Sequence, residues 1–278
     1  MKPIMIQGTT SSAGKSTLAS ALCGIFSDSG INVYPFKSQN MSRNYMHCIN
    51  GKMISAAQFV QAHAARQEPS EKMNPVLLVP QTDTGSDVVI LGRSTGVMAA
   101  KEYFEQKPRL KSMVSDIYNE IAKEHELIVI EGAGSPAEIN LNENDFVNMG
   151  MAEIADANVL LVTDIDRGGS FASLYGTVML LNEEQRKRVK GFIINKFRGD
   201  VSLLENGFKM IEDLTSIPVL GVIPYTHIEI MDEDSLVDYQ KKAMCCFDPV
   251  MLEEDLEKLA ELVKENLDME YIYKLIEE

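Results

Sequence analysis

Lys15 and Ser16, directly behind Gly14, are the residues best suited by type and spacing to handle a phosphate. They close the stretch Gly8-Thr9-Thr10-Ser11-Ser12-Ala13-Gly14-Lys15-Ser16-Thr17, which lies between the apolar run Ile4-Met5-Ile6 and a helix-forming segment. A glycine-bounded loop that opens a helix turns backbone N–H groups and the positive helix end toward an anion. Lys15 adds a point charge for the outer phosphates, and the Ser16 hydroxyl can ligate Mg²⁺. Five residues separate Gly8 from Gly14, one more than in the usual nucleotide loop G-x-x-x-x-G-K-[ST]. A glycine turn with a solvated lysine is the bland alternative. The strand–loop–helix setting favours a nucleoside triphosphate.

A second chemical group is Glu131. It ends the wholly apolar run Leu127-Ile128-Val129-Ile130 and precedes Gly132-Ala133-Gly134-Ser135-Pro136. That pattern predicts a buried parallel strand delivering one carboxylate to its C-terminal edge, to hold Mg²⁺ or orient its water. Lys37 and Asn40 follow the strand-like run from Ile31 and become site candidates for the same reason. The loop Gln81-Thr82-Asp83-Thr84-Gly85-Ser86-Asp87 is rich in donors and acceptors.

The elements that must position these groups repeat one unit: apolar strand, polar or glycine loop, helix. A helix is predicted from Lys15 to Asp28, with Gly30 as its stop. Another covers Ile54 to Arg66 and carries Gln58 and Gln61 on nearby faces. Residues 73–80 are extended, because their prolines bar a helix interior, and 88–91 form a short strand. Residues 99–126 read as helical, interrupted near Pro108. Apolar strands then recur at 158–163, 191–194 and 219–223. They end in Asp164-Ile165-Asp166-Arg167-Gly168-Gly169, Asn195-Lys196-Phe197-Arg198 and Pro224-Tyr225. The pattern predicts an α/β fold, doubly wound around a mainly parallel sheet, with ligand groups along the C-terminal strand edges. Residues 228–242 are polar. Residues 251–278 form a helix or helical pair whose Leu252, Leu256, Leu259, Leu262 and Val263 would pack on the domain.

Composition narrows the partners. A net charge of −15 over 278 residues disfavours nucleic acid and anionic membrane. A hydrophobic fraction of 45% is ample for a core. Cys23, Cys48, Cys245 and Cys246 show neither metal spacing nor a disulfide framework. The early strand leaves no signal peptide, and no run approaches the roughly 18 apolar residues of a membrane span. A cytoplasmic location is expected.

Taken in order, these motifs resemble the synthetase half of cobyric acid synthase. The loop at Gly8 carries the resemblance together with Pro35-Phe36-Lys37-Ser38-Gln39-Asn40-Met41, Met73-Asn74-Pro75-Val76-Leu77-Leu78 and Glu131-Gly132-Ala133-Gly134-Ser135-Pro136-Ala137-Glu138-Ile139-Asn140-Leu141. Asp164 to Gly169, Asn195 to Asp200 and Val219 to Tyr225 continue it. The resemblance covers roughly residues 1–228. It implies a P-loop NTPase fold of the dethiobiotin synthetase type with a C-terminal helical tail. The implied activity is ATP-dependent amidation of the b, d, e and g side-chain carboxylates of adenosylcobyrinic acid a,c-diamide, through acyl phosphates, with ammonia drawn from glutamine.

By the same resemblance, Gly8, Thr10, Ser12, Ala13, Gly14, Lys15, Ser16 and Thr17 hold ATP, with Thr17 on the α-phosphate and Asn195 reading the adenine. Ser16 and Glu131 are the implied Mg²⁺ ligands. Gln58 stands where dethiobiotin synthetases carry a further metal carboxylate, leaving Asp83 or Asp166 as replacements. Lys15, Lys37, Asp166 and Arg167 are the implied catalytic groups, and Gln39, Asn40, Asp83 and Ser135 the implied substrate contacts. A homodimer is expected.

The sequence departs from the family in one respect. Family members carry a glutamine amidotransferase domain with a glycine-flanked nucleophilic Cys and a later His-x-Glu, whereas Cys245-Cys246-Phe247 lacks the glycines and the last histidine is His227. The expected organisation is therefore an ATP-binding amidoligase domain at 1–228, a linker at 229–250 where the glutaminase would fall, and a helical segment at 251–278. Ammonia from glutamine would be supplied by a missing or a separate glutaminase. Two alternatives stand beside this reading. One is a nucleotide-switched ATPase of the partition and division-site type, although those carry a lysine at the position of Thr10. The other is a catalytically idle corrinoid-binding scaffold.

Overall fold

The computed structural model describes residues 1–82, 85–141, 143–226 and 249–278. Six parallel strands form the main sheet: β1 (Ile4–Gly8), β2 (Val33–Phe36), β9 (Leu127–Glu131), β10 (Asn158–Asp164), β11 (Val189–Phe197) and β12 (Val219–Pro224), in the spatial order β12-β11-β10-β1-β9-β2. Every residue of β1, β9 and β10 is buried, as expected of parallel strands covered on both faces. The alternation inherent in a strand divides their side chains between two cores. Met5, Ile128, Ile130, Val159 and Leu161 join one hydrophobic cluster, and Ile4, Ile6, Leu127, Val129, Leu160 and Val162 the other.

Helix α1 (Lys15–Asp28) follows β1 and packs Leu18, Leu22 and Ile25 into the second core. The C-terminal segment is a helical pair, α8 (Pro249–Asn266) and α9 (Met269–Glu277), and Leu256, Leu259, Val263, Ile272 and Ile276 enter that same core. Polar ties reinforce the apolar contact. Asn158 Nδ2 donates to the Leu275 carbonyl at 2.7 Å, and the Asp268 amide donates to the Leu220 carbonyl at 2.7 Å. The first core is covered by α3 (Ala100–Ile121), α4 (Met149–Ala155), α5 (Ser170–Leu180) and α7 (Glu205–Thr215), which contributes Ile211, while α6 (Glu183–Arg188) joins α5 to β11 in the chain. Among the described residues no helix is long and apolar enough to cross a membrane.

The expected break near Pro108 is absent: α3 runs through it. Proline in a helix interior removes one N–H and costs about 3 kcal/mol. Tyr103, Leu110, Val114, Ile117, Tyr118 and Ile121 are all buried by α3, each worth about 1.5–3 kcal/mol. Packing outweighs the lost bond.

Beyond β2 the chain leaves the main sheet and builds a second one, order β3-β6-β7-β8, from β3 (Gln39–Met41), β6 (Val76–Pro80), β7 (Gly85–Ile90) and β8 (Arg93–Ala99). The short strand expected at 88–91 falls in the second half of β7, apart from Leu91, which belongs to the following turn. It pairs antiparallel with a strand that the sequence did not announce. Ile90 faces Arg93 across a two-residue turn in which Leu91 and Gly92 have φ of 46° and 73°, the positive values that tight hairpins need. Between β3 and β6 in the chain, a small hairpin of β4 (Tyr45–His47) and β5 (Met53–Ser55) leads into α2 (Ala56–Ala64). The Ser55 side chain caps α2 by accepting from the Gln58 amide.

Candidate active site

The glycine loop lies where β1 meets α1, with the ends of β9 and β10 on either side. This is the point at which the winding of the sheet reverses and ligands collect in such folds. Gly14 has φ +101°, and a Cβ there would stand 2.0 Å from Asn195 Nδ2. Both backbone and space therefore demand glycine. Asn195, buried at the end of β11, donates that Nδ2 to the Ala13 carbonyl at 2.9 Å, and Lys196 Nζ donates to the Ser12 carbonyl at 2.5 Å. Lys15 itself is buried, and its Nζ donates to the Thr10 carbonyl at 3.1 Å, which draws the ammonium across the loop. Gly8 is buried, Thr17 is half-buried in the first turn of α1, and Thr10 is exposed.

The second assembly centres on Glu131, which is fully buried. Its Oε1 accepts from Lys37 Nζ and Ser16 Oγ, both at 2.7 Å. Its Oε2 accepts from Gln61 Nε2 at 2.5 Å and Gln58 Nε2 at 3.1 Å. Burial alone would raise this carboxyl's pKa. The charge of Lys37 and the bonds from Lys37, Ser16 and Gln61 prevail and hold it below the usual glutamate range. Gln58 Oε1 in turn accepts from Asn40 Nδ2 at 3.0 Å and from Ser55 Oγ. Thus Lys37, Asn40, Ser16 and Glu131 meet in one buried network.

Of the implied substrate residues, Asn40 belongs to that network, while Gln39 and Ser135 fall nearby but apart from it. Gln39 accepts from the Tyr103 hydroxyl, and Ser135 is buried and accepts from the Ala137 amide at 3.2 Å. Both line a cavity of about 580 Å³ that also reaches Ser11 and Lys15 of the glycine loop. Asp166 and Arg167 belong to a different cluster. Arg167 is 73% exposed and pairs with Asp164 Oδ2 at 3.8 Å, while Asp166 takes Arg198 Nε at 3.1 Å. Asp83 lies outside the described residues, as do His227, Cys245 and Cys246.

Two anchoring residues escaped the sequence reading. Asp164 is buried at the end of β10 and accepts from Lys196 Nζ at 3.1 Å, so the Lys196 ammonium ties the glycine loop to that strand end. Asp164 carries the same signal as Glu131, an acid closing an apolar strand. Lys196 carries no local signal beyond its place at a strand end. Gln61 was noticed only for its face, and the structure makes it a donor to the central carboxylate.

Among the described residues no three His, Cys, Asp or Glu side chains gather into a metal cage. The donor set of one hydroxyl and one carboxylate nevertheless fits a hard cation that keeps waters and phosphate oxygens as its other ligands. Ser16 Oγ and Glu131 Oε1 are 2.7 Å apart, close to the spacing of adjacent oxygens around Mg²⁺ with bonds of about 2.1 Å.

A parallel sheet whose central strand feeds a glycine loop, Lys15 and Ser16 into a helix N-terminus defines a P-loop nucleotide-binding protein. More narrowly, the chain belongs to the family described as the CobQ/CobB/MinD/ParA nucleotide-binding domain, whose profile matches residues 4–236. It is similar to the cobyric acid synthase of Alkaliphilus metalliredigens, 58% identical over 84% of this chain and 46% of that protein. It is also similar to the cobyric acid synthase of Clostridium novyi, 56% identical over 86% of this chain and 48% of that one. The chain thus spans about half the length of the curated relatives it matches. Among solved structures it superposes on the septum site-determining protein MinD of Pyrococcus horikoshii with a TM-score of 0.48 and 13% identity, over 95% of each chain.

Proposed function

We propose that this chain is the ATP-dependent amidoligase half of a cobyric acid synthase, converting side-chain carboxylates of adenosylcobyrinic acid a,c-diamide to amides. The observation that carries the reading is the cavity of about 580 Å³ that opens beside Lys15, lined by the implied substrate residues Gln39 and Ser135. It offers an acceptor substrate access to the phosphate end of a bound nucleotide. The close cobyric acid synthase relatives supply the substrate class.

The chemistry follows from the weakness of a carboxylate as an electrophile: its charge repels nucleophiles and oxide cannot leave. Attack of a carboxylate oxygen on the γ-phosphorus of ATP breaks the bond to the bridging oxygen and releases ADP. Ammonia then adds to the acyl phosphate carbon, loses a proton and expels inorganic phosphate. Phosphoryl transfer requires positioning and charge neutralisation more than covalent help from the protein. In this reading the loop amides and Lys15 hold the phosphates, and Thr17 meets the α-phosphate. Asn195 reads the adenine while tethering Ala13. Ser16 and Glu131 would hold Mg²⁺, which neutralises charge on the transferring group. Lys37, paired with Glu131, would in this reading shift toward the phosphoryl oxygens as they gain charge. Ammonia would come from glutamine through a glutaminase domain or subunit outside these 278 residues.

The test is mass spectrometry of products after the chain is incubated with ATP, Mg²⁺, ammonium chloride and the diamide. Successive losses of 1 Da per amidated carboxylate, dependent on ATP, are expected. ATP turnover unaffected by the diamide, with no mass change, would refute the amidoligase and favour a nucleotide switch.

A further inference from the structure

The cavity beside the glycine loop holds a second cation. Its walls are largely apolar, formed by Met41, Leu78, Val88, Met98 and Phe104 from the second sheet and α3, and Lys107 of α3 lies among them. Lys107 is only 7% exposed. Its ammonium sits 4.6 Å from the centre of the Phe104 ring. Among the described residues it makes no hydrogen bond and no carboxylate comes within ion-pair distance. Burial pushes its pKa below the ordinary lysine value, and the field of Asp145, another cavity residue, opposes that.

An ammonium in such a place is costly. Removing an ion from water carries a penalty of several kcal/mol after relaxation, and one cation–π contact returns about 0.5–2 kcal/mol. Lysines on helices ordinarily extend along apolar surface until the head reaches bulk water. Lys107 instead lines a partly open, mostly apolar space that it shares with Lys15. An ammonium that makes no hydrogen bond or ion pair among the described residues, and that faces a cavity of ligand size, can bind an anion. Lys15 serves the transferring phosphate from the loop. Lys107, on another element, is available for a different negative charge on the acceptor.

We infer that Lys107 binds a carboxylate of the acceptor substrate other than the one being phosphorylated, so that the cavity selects polycarboxylates. The inference rests on the amidoligase reading and specifies how that site recognises its substrate. An acceptor with several carboxylates on an apolar frame would set the frame against the methionines, Leu78 and Val88, one carboxylate at the phosphate end and another on Lys107. The contact is the same before and during phosphoryl transfer. It therefore adds to ground-state and transition-state binding alike, which appears in KM rather than kcat.

The experiment compares the full 278-residue chain with Lys107→Met, which keeps the stem and removes the charge, and with Lys107→Arg, which restores it. Kd for the diamide is measured by equilibrium dialysis read at the corrinoid absorbance, and Kd for ATP separately as a check on folding. Loss of a charge-assisted bond predicts about ten- to hundredfold weaker diamide binding by Lys107→Met. ATP binding should be unchanged, KM raised and kcat at saturation preserved. Lys107→Arg should recover most of the affinity. Equal diamide affinity in wild type and Lys107→Met would overturn the inference and leave the amidoligase reading standing. A fall in kcat at unchanged Kd would also overturn it. A wild-type chain that neither binds nor amidates the diamide would refute the amidoligase reading itself and this inference with it.

Discussion

Replacing Lys37 by methionine isolates what its charge does for Glu131. Both side chains are fully buried and their ion pair is 2.7 Å long. Lys37→Met fills nearly the same volume but leaves Glu131 with three neutral donors, Ser16, Gln58 and Gln61. Each such bond is worth about 1 kcal/mol net, whereas the carboxylate's desolvation penalty is several kcal/mol. The balance predicts a loss of about 3–5 kcal/mol near pH 8. At about 2–4 °C per kcal/mol for a chain of this size, the melting temperature should fall by roughly 10 °C.

The pH dependence should reverse in sign. In the wild type the Glu131 pKa lies below its ordinary value. Its contribution is present above the unfolded pKa of about 4.3 and lost as pH falls through the folded value. In Lys37→Met the folded pKa rises above the unfolded one, so the native state binds the extra proton and stability falls as pH rises. The chain contains no tryptophan, so far-UV circular dichroism in urea at pH 5 and pH 8 is the suitable assay. Wild type should hold or gain stability from pH 5 to pH 8, and Lys37→Met should lose it. Adding Glu131→Gln to Lys37→Met should recover stability at pH 8 by removing the unpaired charge. A Lys37→Met chain with wild-type stability and pH slope would refute the reasoning.

Three further outcomes are expected, apart from the Lys107 comparison. Lys15→Ala should abolish ATP binding or turnover, checked by nucleotide titration; unchanged kinetics would count against the phosphate cradle. Gly14→Ala should cost at least about 1–2 kcal/mol in backbone strain at its positive φ, and should also weaken ATP binding by displacing Asn195. Pairing it with Asn195→Ala should relieve only the steric share, as thermal melts of the single and double variants would reveal. Tested alone, the 278-residue chain should amidate the diamide with ammonium chloride and not with glutamine; glutamine-driven product would sink the proposed division of labour.

The glycine loop and Glu131 were legible because their signals are local. Gly8, Gly14, Lys15 and Ser16 fall within one turn of strand to helix, and an acid ending four apolar residues declares both burial and edge. The second sheet gave no such signal. Six of the seven residues of β8 are exposed, so no alternation marks it as a strand. Its hairpin turns on Leu91-Gly92 rather than the Asn-Gly or Asp-Gly that announces such a loop. Pro108 misled for a related reason, since its cost is local while the packing that overrides it comes from distant strands. Lys107 sits in the same charged helix, where the sequence alone gives it the look of a solvated side chain; only the sheet folded over it makes it buried.

That contrast bears on how the site divides its labour. Beside Ser16 the protein places Glu131 and surrounds it with amides and Lys37, and among the described residues no three His, Cys, Asp or Glu side chains form a metal cage. Gln58 and Gln61 occupy Oε2 of Glu131 while Ser16 and Lys37 share Oε1. Only the Oε1 side is therefore presented to the glycine loop, and a cation held there would have to draw its remaining ligands from phosphate and water. In the proposed reading, such an arrangement would be completed by the nucleotide. The proposed acceptor end is built in the opposite way: a mostly apolar cavity in which Lys107 is buried away from the glycine loop. The local motifs therefore announce the half of the site that the nucleotide completes. The half proposed to select the acceptor depends on the packing of the second sheet against α3.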